Sequence, residues 1–265
     1  LYGSESTITT TNILSWKQKG NTIIGKLSGT SGGQYWGRFE NSIAINYTGD
    51  TFVAGNKEND EGTSGNNAGI TQIYRWNDNS WNKLGQDIYG EANDDQSGWA
   101  TAINGKGDIV VIGARYNDDG PGNNSGHVRV YKYNGVSWNQ IGQDIDGESH
   151  DDIFGYSVAI NKKGTIIAGG GYKNDGGTGG GNDHGHVRIY EWDEDNETWV
   201  KLGNDISGYK HEDEMGKCVA LNTEGTIVAV QHRGNSSASN KGRITAHQWD
   251  GTSWNQLGNN TQMTN

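Results

Sequence analysis

With 265 residues the chain can form one large all-β domain or two smaller ones, and a formal charge of −11 excludes nucleic acid as a partner, because binding there rests on Lys and Arg neutralising phosphates. Cations are the more natural partners. A single cysteine, Cys218, excludes an intrachain disulfide, and no run of about 18 apolar residues is present to span a membrane.

The chain opens on Leu1 without a signal-peptide pattern in residues 1–20, which reads as a processed protein or a segment of a longer one. Residues 1–15 read as an N-terminal strand or a tail, since the stretch STITTTNILSW at 6–16 is β-prone. From Trp16 onward the sequence repeats. Trp16, Trp81, Trp138, Trp199 and Trp254 open units spaced 65, 57, 61 and 55 residues apart, which divides 16–265 into repeats 16–80, 81–137, 138–198, 199–253 and a partial 254–265.

Each unit carries the same short strand signals in the same order. The segments at 42–46, 100–104, 157–161 and 218–222 come first, each followed by a Gly-bearing turn such as Lys162-Lys163-Gly164. Next come apolar runs without alternation, TFVAG, DIVVIGA, TIIAGG and TIVAV, which fit strands covered on both faces. A third strand, GITQIYRW, GHVRVYKY, GHVRIYEW or GRITAHQW, ends in a polar turn, and the Trp segment returns as a fourth. Four antiparallel strands per unit, with no helical periodicity, predict an all-β β-propeller of four-stranded blades, complete or a segment of a larger one.

The loops hold the candidate chemistry. Acidic loops Glu91–Asp95, Glu148–Asp152 and Lys210–Glu214 recur, and Asp95, Asp152 and Asp213 are expected to bond turn backbone rather than act on a ligand. A second set is richer in converging oxygens: Asn59 and Asp60; Asn117, Asp118 and Asp119; Asn174, Asp175, Asn182 and Asp183. These are candidate calcium ligands, and unit four, with Arg233-Gly234-Asn235, is expected to lack the site.

No nucleophile elbow, HExxH motif or phosphate loop occurs, so no catalytic residue is nominated. His184 and His186 are potential metal ligands without a partner at zinc spacing. The repeat-opening Trp residues read as blade-packing anchors; Trp36 and Trp99, which fall outside that regularity, are the candidate ligand-binding aromatics. Sequons at Asn46, Asn123, Asn196, Asn235 and Asn259 would accept N-glycans in a eukaryotic secretory route.

The segments FGYSVAI (154–160), TIIAGGG (165–171) and GHVRIYEW (185–192) resemble the FG-GAP repeat of integrin-α-type β-propellers, over roughly residues 16–258. The resemblance implies an extracellular or surface-exposed propeller for adhesion or ligand binding, often with calcium in its loops. The calcium loop of that family falls between a blade's first two strands, where this chain has too few carboxylates, as in Asn161-Lys162-Lys163-Gly164, so that site does not carry over. The expected function is a non-catalytic adhesion or structural module, not an enzyme. A carbohydrate-binding lectin and a propeller enzyme acting on glycans are the alternatives. Expected partners are other proteins or surface glycans, with self-assembly through the terminal strands.

Overall fold

A computed structural model describes residues 17–24, 42–60, 65–176, 182–233 and 242–258. They form four antiparallel sheets in succession. Blade one comprises β1 (Ile43–Ile45), β2 (Thr51–Asn56), β3 (Ile70–Trp76) and β4 (Trp81–Lys83), with β5 (Ile88–Tyr89) pairing on β3 beyond β4. Blade two repeats this with β6 (Ser97–Ile103), β7 (Ile109–Ala114), β8 (His127–Tyr133), β9 (Trp138–Gln140) and β10 (Ile145–Asp146). Blade three has β11 (Phe154–Ile160), β12 (Ile166–Gly171), β13 (His186–Asp193), β14 (Thr198–Lys201) and β15 (Ile206–Ser207). Blade four has β16 (Val219–Leu221), β17 (Ile227–His232), β18 (Arg243–Trp249) and β19 (Trp254–Gln256). The fold is an all-β propeller of four-stranded blades, and among the described residues no helix is long and apolar enough to cross a membrane.

Local chemistry sets each first hairpin. The side-chain Oδ1 of Asn104 accepts the backbone N–H groups of Gly107, Asp108 and Ile109, each at 3.0 Å, and Asn161 does the same for Gly164, Thr165 and Ile166. Gly107 and Gly164 take φ of 75° and 84° there, a backbone state that costs glycine nothing.

The runs without alternation follow from burial on both faces. In β7, Val110 and Ile112 pack with Val53, Ile73 and Ile88 of blade one, while Ile109 and Val111 pack with Phe154, Ile167 and Trp199 of blade three. A third cluster joins Val187 and Ile189 of blade three to Val219, Val228 and Val230 of blade four. At the outer faces the pattern stops: Ile43 and Ile45 of β1 are 65% and 59% exposed, and Ile244 of β18 is 54% exposed, whereas its counterparts Val128 and Val187 are buried.

Two contacts fix the blade spacing. Backbone meets backbone at glycine pairs: a Cβ on Gly55, Gly113 or Gly170 would stand 2.1, 2.0 and 2.1 Å from the carbonyl oxygen of Gly98, Gly155 and Gly216 respectively. At the outer edge the repeat-opening Trp reaches one blade back, the indole N–H of Trp138 donating to Leu84 O, that of Trp199 to Ile141 O and that of Trp254 to Leu202 O, at 2.7, 3.1 and 2.8 Å. Gln86 doubles the first clamp, accepting from Trp138 N–H and donating to its carbonyl.

Candidate functional site

One end of the blades gathers the polar chemistry, and strand register shows why. In blade two the row Ser97, Ala114, His127, Asp146 runs across β6, β7, β8 and β10; in blade three the row is Phe154, Gly171, His186, Ser207. The inner strand bulges at this row, between Ser97 and Ala100 and between Phe154 and Ser157. Gly98 and Gly155, at φ of 83° and 80°, make the bulge, and a bulge re-aims the side chain next to it. That side chain is Trp99 in blade two and Tyr156 in blade three.

The two rings lie 5.2 Å apart, and Tyr156 meets Tyr172 edge-on at 4.5 Å. Cations thread between them. The Arg115 guanidinium sits 3.3 Å from the Trp99 ring centre and 4.2 Å from that of Tyr116, steered by a bond from its Nε to Gln96 Oε1 at 2.9 Å. Lys57 of blade one stands over Trp99 at 4.5 Å, and Lys217 of blade four over Tyr172 at 4.4 Å. Burial raises the Tyr172 hydroxyl to about 12 and lowers Arg115 from its usual value. In a chain of net charge −11, this half-buried belt brings three cations and several aromatic rings from four blades onto one surface.

Farther out stand two acidic clusters of one design, Glu91–His127–Asp144 and Glu148–His186–Asp205, in each of which the three candidate metal-ligating atoms lie within 4.8 Å of one another. His127 and His186 are fully buried, and no ring nitrogen of either has a hydrogen-bond partner. Burial, aided by the Arg129 charge, holds the His127 imidazole down at about 3. Burial raises Glu91, against the pull of Arg129. Burial also pushes Asp205 up, but the adjacent His186 and Lys201 outweigh it and bring the carboxyl to about 2.

The predicted loop residues are placed as follows. Asp60, Asp118 and Asp175 each accept a backbone N–H, from Asn67, Asn124 and Asp183. Asn117 and Asn174 are buried and accept from the N–H of Asp119 and Gly176, and Asn59, at the equivalent position of blade one, is buried too, while Asn182 is exposed and Asp183 half-buried. Asp95 and Asp152 bond the loop N–H groups of Glu91 and Ala92, and of Glu148 and Ser149. Asn46 is buried, its amide donating to Thr48 and Asp50; Asn123 and Asn196 are exposed; Asn235, Asn259 and Trp36 lie outside the described residues.

Of the belt, only Trp99 was nominated from sequence; Arg115, Tyr156 and Tyr172 were missed, as were Glu91, His127 and Asp144 as a set. The signal available was the co-occurrence of GE, GHVR and DI in the same two repeats.

No family model matches the chain, and neither does any curated protein sequence. Solved structures do. A protein assigned as a 6-phosphogluconolactonase from Bacteroides uniformis superposes with a TM-score of 0.56 at 12% identity, over 91% of this chain and 59% of its own. A second so assigned, from Bacteroides fragilis, gives 0.56 at 13% identity, over 90% and 59%. The periplasmic gluconolactonase of Pseudomonas aeruginosa gives 0.54 at 12%, over 84% and 58%. The chain thus spans somewhat under two thirds of each neighbour, and at these identities the shared property is the propeller fold. The neighbours carry the names of enzymes, and this overturns the expected non-catalytic adhesion or structural module and the exclusion of an enzyme. The physical reason is that a search for contiguous catalytic motifs cannot see a site built from one position in each of several blades.

Proposed function

We propose that the chain is the substrate-binding part, with catalytic groups, of a β-propeller enzyme that hydrolyses a sugar-derived lactone. The observation that carries this is the belt of Trp99, Arg115, Tyr156 and Tyr172. Aromatic faces take the C–H face of a sugar ring, and the flanking cations of Lys57, Arg115 and Lys217 suit an acidic or phosphorylated sugar. In the reaction, water oxygen bonds to the lactone carbonyl carbon, the ring C–O bond breaks, its oxygen takes a proton, and a carboxylate and one proton leave. Arg115, a fixed cation in a half-buried setting, would stabilise the oxyanion formed on the carbonyl oxygen.

The names of the structural neighbours support this substrate class, and the periplasmic one supports a location outside the cytoplasm. The FG-GAP type of the repeat stays a proposal about blade sequence. Calcium in the Asn–Asp loops is a separate proposal, tested by whether calcium raises Tm in the parent but not in Asp118→Ala.

The deciding measurement is proton release from glucono-δ-lactone and from its 6-phosphate, corrected for spontaneous hydrolysis. The parent chain should exceed the spontaneous rate, and Arg115→Ala should lower kcat/KM by about 10- to 100-fold. Trp99→Ala should act mainly by raising KM. A parent rate equal to the spontaneous one, or indifference to both substitutions, would sink the reading.

A further inference from the structure

We infer that blade two holds a divalent transition-metal ion between Glu91 Oε2, His127 Nδ1 and Asp144 Oδ2, and that in blade three the ammonium of Lys201 takes that ion's place. The inference stands apart from the lactone reading, since it concerns a different part of the row and neither probe below is a substrate.

The imidazole stands close enough to each carboxylate to share one small cation with it. His127 Nδ1 lies 3.7 Å from Glu91 Oε2 and 4.0 Å from Asp144 Oδ2. Donors on one zinc-sized ion, each about 2.0–2.2 Å from it, can stand no more than about 4.4 Å apart. The Arg129 guanidinium engages the other oxygen of Glu91, Oε1, at 3.0 Å, and so orients Oε2 toward the ring.

The buried ring supplies independent support. His127 is 0% exposed, Nδ1 and Nε2 both lack hydrogen-bond partners, and a buried imidazole with Nδ1 aimed at two carboxylates is an incomplete site. Both carboxylates are partly solvent-accessible, at 36% and 32%, which gives an ion a way in. One imidazole with two carboxylates suits zinc, cobalt, nickel or manganese, whereas calcium and magnesium take oxygen donors throughout.

The three ligand positions match between the two clusters, and a neighbouring register position separates them. Lys201 pairs with Tyr190 across β13 and β14, and its counterpart Gln140 pairs with Tyr131 across β8 and β9. Gln140 donates to Asp144 as a neutral amide. Lys201 instead contacts Asp205 and stands 3.9 Å from Glu148, so blade three already has a cation among its carboxylates. Blades one and four act as internal controls, with Ile70 and Arg243 at the histidine position.

Zinc titration by calorimetry and visible absorption of the cobalt form, both on the full chain, test this. The parent should bind one equivalent. Glu91→Gln and Asp144→Asn, which alter accessible carboxylates, should each weaken binding by about 100-fold or more while leaving Tm without metal near the parent value. His127→Ala should do the same if it folds, but the carboxylate variants decide the matter. Lys201→Gln should bind two equivalents. A parent that binds no zinc, an Asp144→Asn variant that keeps its equivalent, or a Lys201→Gln variant still at one would each overturn the inference.

Discussion

Asp213 shows how one residue changes role between repeats. Its counterparts Asp95 and Asp152 cap the acidic loops by accepting backbone N–H groups. Asp213, fully buried, accepts instead from Arg243 Nη2 at 2.6 Å and from His232 Nδ1 at 2.9 Å, and His232 reaches Thr245 through its other nitrogen. Burial pushes the Asp213 carboxyl up, but the bonds and charges of His232 and Arg243 outweigh it and hold it below its ordinary value. A folded-state value below the unfolded one stabilises the protein above about pH 4, and the contribution fades as pH falls through the lower folded value. Asp213→Asn should therefore cost about 3 kcal/mol at pH 7, since it strands the Arg243 charge, with Tm falling by about 6–12 °C. The gap between parent and variant should narrow as pH falls from about 4 through the lower folded-state value; a gap that stays constant as the pH is lowered would show that the carboxylate charge is not what matters. That an Asp at this position bonds locally could be read from its spacing to the following glycine. The switch to Arg243 could not, because it depends on the pairing of His232 with Arg243 across β17 and β18.

Among the elements, the inner hairpins were the most legible part of the chain. The four inner segments, their Gly turns and the apolar runs predicted strands that the structure contains, because burial on both faces and positive φ leave direct marks in sequence. The glycine seams left none. Gly113 sits in the run IVVIGA, where it reads only as the end of a strand, yet a Cβ there would stand 2.0 Å from the Gly155 carbonyl oxygen. Gly113→Ala should force two blades apart and cost about 3 kcal/mol or more in urea denaturation. Gly135→Ala is the comparison: its φ of 101° is strained for alanine but nothing lies within 4 Å, so about 1 kcal/mol is expected. Equal losses for the two would mean that the seam yields and that blade spacing is not fixed by backbone contact. The inner-strand bulges were equally hidden, and with them the reason that Trp99 and Tyr156 share one surface.

For the whole molecule, architecture was readable and activity was not. Repetition exposes the blade as the repeating unit and its strand order, whereas the belt draws Lys57, Trp99, Arg115, Tyr156 and Lys217 from four blades, and no local pattern announces such a union. The Trp clamps carry a consequence for how the molecule yields to force. Each clamp points backward along the chain, from Trp254 to Leu202, Trp199 to Ile141 and Trp138 to Leu84, so every blade is latched to the one before it. Tension applied at the carboxyl end loads the last latch first and leaves the earlier ones shielded. Held between its ends in a single-molecule trap, the chain should peel blade by blade from that side, each rupture releasing roughly 200 Å of contour length, the extended span of one repeat.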